Sequence, residues 1–162
     1  METRFSFLEI KHKTNKQRTV KSRIGTPRLM TSLDECPPAF LAEHFPYDAA
    51  EMQPRLWNRY SRVTLASKAR PERVTLDVGL TFAWGGQQIA LPGVVIAEVK
   101  QDRSSRDSEF VSLMRAHGVR STGFSKYCLG VSLLYPAVKH NRLKAKQRLI
   151  AKVMQGEHYD YQ

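Results

Sequence analysis

Charged side chains recur at alternate positions in separate stretches of this chain: Glu9, Lys11 and Lys13, then Lys21 and Arg23, Arg62, Arg73 and Asp77, and Glu98 and Lys100. A period of two places such residues on one face of a β-strand. Apolar residues fill the alternate positions: Leu8 and Ile10, Val20 and Ile24, Val63 and Leu65, and Val74, Leu76, Val78, Leu80 and Phe82. In a half-exposed sheet the polar face meets water. If the sheet instead curls so that this face points inward, unmatched cations become expensive to bury. Such an interior demands an anion. Condensed phosphate suits it, because Arg offers a bidentate fork to phosphate oxygens and Lys a compact point charge. Both arrangements are open at this level.

The carboxylates narrow the chemistry. Glu98 stands two positions before Lys100, on the same side of its strand. A carboxylate among phosphate-binding cations is repelled by the ligand unless a divalent ion, Mg²⁺ or Mn²⁺, lies between them. The alternative for Glu98 is an ion pair with a neighbouring cation, and for Glu9 and Asp77 the ion pair is the expected role. The five histidines are scattered without metal-ligand spacing, and Cys36 and Cys128 form no CxxC pair. No Ser-His or Cys-His nucleophile pair is evident.

The elements that must position these residues are strands first and helices last. Alternation predicts strands over Arg4 to Lys13 and Gln17 to Ile24, joined by a turn at Thr14–Asn15–Lys16 into a hairpin. Prolines 27, 37, 38 and 46 interrupt the next stretch, where Phe40, Leu41, His44 and Phe45 have helical spacing. Strands follow over Arg55 to Ser67, Arg73 to Phe82 and Gly93 to Asp102, with a turn at Gly85–Gly86. On the middle strand Arg73, Thr75, Asp77 and Thr81 are expected on one side, Leu80 and Phe82 on the other. Helices are expected over Ser108 to His117, from an N-cap at Ser125 through Tyr135, and from an N-cap at Asn141 through Met154. The order predicts an α+β fold with an antiparallel sheet, in one domain over 1–162.

Lys and Arg number 26 against 15 Asp and Glu, for a formal net charge of +11. That excess implies an anionic partner. Free thiols suit a reducing cytoplasm, no apolar run is long enough for a membrane span, and no signal peptide is expected at the polar N-terminus. The basic segment of Arg142, Lys144, Lys146, Arg148 and Lys152 reads as a solvated helix face. Without a stacking platform or a recognised motif, nucleic acid is not the expected partner.

Six segments in order, Phe7-Leu8-Glu9-Ile10-Lys11, Thr19-Val20-Lys21-Ser22-Arg23, Tyr60-Ser61-Arg62-Val63-Thr64, Arg73-Val74-Thr75-Leu76-Asp77, Glu98-Val99-Lys100 and Phe124-Ser125-Lys126-Tyr127, resemble the vacuolar transporter chaperone (VTC) domain. This is a polyphosphate polymerase domain of the triphosphate tunnel superfamily. The resemblance runs from Phe7 to about Arg148. It implies an antiparallel sheet curled into a partial tunnel barrel with C-terminal helices. It also implies transfer of the terminal phosphoryl group of ATP onto polyphosphate, with Mn²⁺ or Mg²⁺. By motif, Lys11, Arg73 and Lys126 are implied as catalytic contacts to phosphate. Lys21, Arg23 and Arg62 are implied as phosphate-binding, and Glu98 as the metal ligand. Lys100 either pairs with Glu98 or joins the phosphate-binding set. Where family members can carry a further Lys, this chain has Gly123. The family's early basic strands have no counterpart here, so the chain is expected to be the C-terminal portion of the domain. Three explanations stay open: a truncated or mis-started gene product, a partner chain or self-association completing the wall, or a remnant that binds without turnover. Two other activities fit the same residues: a non-catalytic module that binds polyphosphate or nucleotide, and a triphosphate hydrolase.

Overall fold

The computed structural model describes residues 5–14, 19–101 and 108–156. The expected strand starts at Arg4 and Gln17, the turn at Asn15–Lys16 and the strand end at Asp102 lie outside them. The chain divides into two compact units, 1–54 and 55–162.

In the first unit, β1 (Ser6–Lys13) pairs antiparallel with β2 (Thr19–Thr26). Glu9 faces Arg23 and Lys11 faces Lys21. The opposite face of the hairpin carries Ile10, His12, Val20 and Ser22. Together with Ala42–Pro46, at the end of α1 (Pro38–His44), these residues line a shallow cavity. Pro38 opens that helix, where its missing N–H costs nothing.

Among the described residues, the second unit holds a four-stranded antiparallel sheet and three α-helices. β4 (Glu72–Trp84) is its spine. One edge of β4 pairs with β3 (Trp57–Ala66). The other edge pairs with β5 (Gln87–Ala90) and then β6 (Ile96–Gln101). The β4–β5 connection is the expected two-glycine turn, Gly85 and Gly86 both having positive φ, as a tight hairpin with native twist requires. Short β5 is an element the alternation did not show. The helices are α2 (Glu109–Ala116), α3 (Lys126–Leu134) and α4 (Lys144–Met154). Ser125 caps α3 as expected, its hydroxyl accepting from the Cys128 N–H. Asn141 does not cap α4; it opens a single 3-10 turn, Asn141–Leu143, that leads into the helix. The fold is therefore α+β with antiparallel sheets. The described strands form these two sheets and no closed barrel.

The core of this unit gathers Leu80, Phe82, Leu91, Val94, Leu129, Leu134 and Ile150. Its tightest point is Gly130 of α3, where an added Cβ would stand 2.6 Å from Phe82 Cδ1 and 2.7 Å from Leu56 Cδ2. The helix rides directly on the sheet because this residue has no side chain. Gln147 of α4 donates to the carbonyl and hydroxyl oxygens of Ser132 on α3, which fixes the rotation of the last helix.

One sequence expectation is corrected. Ser61 pairs with Val78 but Arg59 with Thr81, so β4 carries one extra residue at Gly79, whose φ is +64°. This bulge reverses the alternation. Beyond it, Leu80 and Phe82 share the face of Asp77, Thr75 and Arg73 rather than opposing it. One face of β4 thus runs from hydrophobic core into a charged row.

Candidate functional site

Pairing across the sheet gathers the charged row. Arg62 lies opposite Asp77, Thr64 and Glu98 flank Thr75, and Lys100 lies opposite Arg73. Five of the expected site residues, Arg62, Arg73, Glu98, Lys100 and Lys126, meet on or over this face. Lys11, Lys21 and Arg23 share one face of the β1–β2 hairpin in the first unit.

Asp77 organises one end of the row. Arg62 donates from Nε to Oδ1 at 2.6 Å and from Nη2 to Oδ2 at 2.8 Å. Lys126 Nζ reaches Asp77 Oδ2 at 2.5 Å from the first turn of α3. Lys126 precedes Gly130 by four residues, one helical turn, so the close packing at Gly130 also sets where Lys126 lands. Asp77 is only 1% exposed. Paired first with Arg62 and then with Lys126, its carboxyl is held down to about 2, against the opposing pull of burial. The same bond keeps the Arg62 guanidinium firmly protonated. The Tyr60 ring completes the cluster, with Arg62 Cζ 5.2 Å and Lys126 Nζ 4.8 Å from its centroid.

Arg73 and Lys100 mark the other end. Two cations placed directly opposite each other across a sheet repel. Lys100 Nζ is 3.4 Å from Glu98 Oε1, so Glu98 makes the ion pair that was one of its two expected roles. Four residues of strand separate Arg73 from Asp77, about 13 Å. Between the ends lies Thr75, 4% exposed, whose buried hydroxyl has no hydrogen-bond partner. The opposite face of the same strands carries Val63 and Leu65, 49% and 52% exposed. On the charged face Thr75 and Asp77 are buried while Arg73, Glu98 and Lys100 stay exposed, and on the opposite face Val74 of β4 is buried too.

In the hairpin, Glu9 holds Lys11 at 2.9 Å and takes both Nε and Nη2 of Arg23. These bonds, with Arg23 the stronger, bring its carboxyl down to about 2. Glu9 and Asp77 thus make the ion pairs expected of them. Lys21 stands opposite Lys11, a second like-charge pair.

A divalent ion finds limited support from protein alone. Among the described residues no three His, Cys, Asp or Glu side chains cluster. Asp77 is already engaged by two cations, which leaves half-exposed Glu98. One carboxylate suits an ion carried largely by phosphate oxygens, as Mg²⁺ commonly is, rather than a resident ion in a protein cage.

Sequence reasoning missed Tyr60 as a partner of both cations and Lys126 as a ligand of Asp77. Tyr60 had a signal, since it alternates with Arg62 and Thr64; the Lys126 contact spans two distant elements and had none. The structure also places a cation at Gly123, because Lys146 Nζ of α4 donates to its carbonyl oxygen.

The family model described as VTC domain matches residues 40–135, more than half of the chain. The chain belongs to the VTC domain family. The VTC match takes in Arg62, Arg73, Glu98, Lys100 and Lys126, whereas Lys11, Lys21 and Arg23 precede it. No curated protein and no solved structure matches the chain significantly. Among the described residues of this VTC chain, no helix is long and apolar enough to cross a membrane.

Proposed function

We propose that the charged face of β3, β4 and β6 is one wall of an anion-holding tunnel, and that the chain is a polyphosphate polymerase-like protein using ATP. The observation that carries this reading is the row of cations around a sealed polar pair: Asp77 and Thr75 are buried within a face whose ends carry Arg62, Lys126, Arg73 and Lys100. In an ordinary solvated sheet the polar positions of such a row all meet water. Arg73 at one end of the row and Arg62 with Lys126 gathered around Asp77 at the other, about 13 Å apart along β4, suit an extended, multiply charged chain better than a single phosphate. Lys11, Lys21 and Arg23 would bind phosphate on the hairpin of the first unit. A further strand, from this protein or a partner, could pair with the outer edge of β3.

Phosphoryl transfer asks the protein for in-line positioning and charge neutralisation. The terminal oxygen of the acceptor chain, ionised at neutral pH, attacks the γ-phosphorus of ATP. A P–O bond forms there as the bond to ADP breaks, and ADP leaves. Arg73 and Lys126 would neutralise charge on the reacting phosphates. Arg62 would present its remaining Nη1 side, because its Nε–Nη2 edge is spent on Asp77. Glu98 would hold a divalent ion together with phosphate oxygens, and such an ion supplies neutralisation of phosphate charge when bound. The experiment is incubation of the chain with ATP and Mn²⁺, followed by analysis for polyphosphate and ADP. Chain growth with stoichiometric ADP is the expected result.

The engagement of Arg62 and Lys126 by Asp77 favours a second reading, a module that binds polyphosphate without turnover. It predicts saturable, salt-sensitive binding and no ADP.

A further inference from the structure

From Phe110 to Gly156 the chain contains no Asp or Glu, against nine Lys and Arg. The last helix of this stretch, α4, spaces Lys144, Arg148 and Lys152 at intervals of four, on one exposed stripe. Like charges at that spacing destabilise a helix, and the first turn holds no acidic residue to offset them. Lys144 and Arg148 have no carboxylate partner among the described residues.

The stripe is held outward by what the rest of the helix does. Ile150 is buried in the core and Val153 packs against it. Gln147 is bonded to Ser132, and Lys146 to the Gly123 carbonyl three residues before Lys126. We infer that this stripe is a second binding surface, a track on which a long condensed-phosphate chain lies outside the sheet site.

The packing decides among polyanions. A basic amphipathic helix that binds membranes needs a free apolar face to insert. That face of α4 is already buried in its own core. Single-stranded nucleic acid is held by stacking on aromatic rings, and α4 has no aromatic residue. A flexible inorganic chain needs only a row of cations about 6 Å apart, which the helical rise supplies. Condensed phosphate as occupant rests on the function proposed above.

The test uses the whole chain and two ligands. Tripolyphosphate, only three phosphates long, is the probe for the sheet site; long-chain polyphosphate is the probe for both. The double substitution K144Q/R148Q should weaken long-chain binding roughly tenfold and lower the dependence of log affinity on log salt by about one to two. Tripolyphosphate affinity should stay unchanged. Equal losses for both ligands would overturn the inference by merging the stripe with the sheet site. An unchanged long-chain affinity would also overturn it, as would a loss confined to anionic lipid vesicles or duplex DNA. Failure of the sheet reading shows separately, as tripolyphosphate binding indifferent to Arg73→Glu.

Discussion

Glu9 in the hairpin and Asp77 in the large sheet solve the same problem in different surroundings. Each is a carboxylate gripping one Arg and one Lys, and each has its carboxyl held down to about 2. Lys11 and Arg23 stay more than half exposed around Glu9. Arg62 and Lys126 are more covered, at 37% and 19% exposed, and Asp77 is sealed. An ion pair in water contributes little and is screened by salt, whereas a desolvated one costs much to break because its partners are stranded. The hairpin cluster therefore holds its cations loosely. The sheet cluster fixes Arg62 and Lys126 in place.

The most severe way to break the comparison is to remove each carboxylate. Asp77→Ala should cost about 3–5 kcal/mol in urea unfolding, because it strands two part-buried cations. Glu9→Ala should cost under about 1 kcal/mol. Equal losses would erase the distinction.

Next in size is Gly130→Ala. Its Cβ meets the Phe82 ring and Leu56 at distances no side chain tolerates, so either α3 or the core must shift. We expect a loss of about 1–3 kcal/mol and a matching fall in thermal midpoint. Phosphate affinity should fall with it, because Lys126 moves with the helix.

Acid sharpens the contrast. Both carboxyls sit below their ordinary values of 3.8 for Asp77 and 4.5 for Glu9. A depressed folded pKa contributes stability above the ordinary range, and that contribution disappears as pH falls towards about 2. Thermal midpoints should therefore drop over this window. In about 1 M salt, where screening acts within ~3 Å, the part of the drop removed by Glu9→Gln should fade. The part removed by Asp77→Asn should persist.

The smallest effect is at Tyr60. Tyr60→Leu should cost about 0.5–1 kcal/mol by removing the ring from under both cations, and Tyr60→Phe much less. Equal costs would assign the role to the hydroxyl instead.

Alternation made most strands and their charged members legible, and the register then set Arg62 beside Asp77 and Arg73 beside Lys100. What alternation could not carry was parity across an irregularity. One extra residue at Gly79 moved Leu80 and Phe82 onto the charged face, and that move is why Asp77 borders the core. Nor could a local pattern show that Lys126 crosses from a helix to Asp77, since 49 residues of sequence separate them. Asn141 had the side chain of an N-cap, yet an intervening 3-10 turn left it without that role.

The central claim is that an extended polyanion lies along the charged face of the large sheet. Titration calorimetry of the whole chain with tripolyphosphate, comparing the parent with Arg73→Glu, tests it most directly. Arg73 has no ion-pair partner among the described residues, so its reversal removes a ligand contact without breaking an internal one. The account predicts saturable binding by the parent and at least a tenfold loss in the variant, about 1.4 kcal/mol. Identical affinities, with the variant still folded, would contradict it.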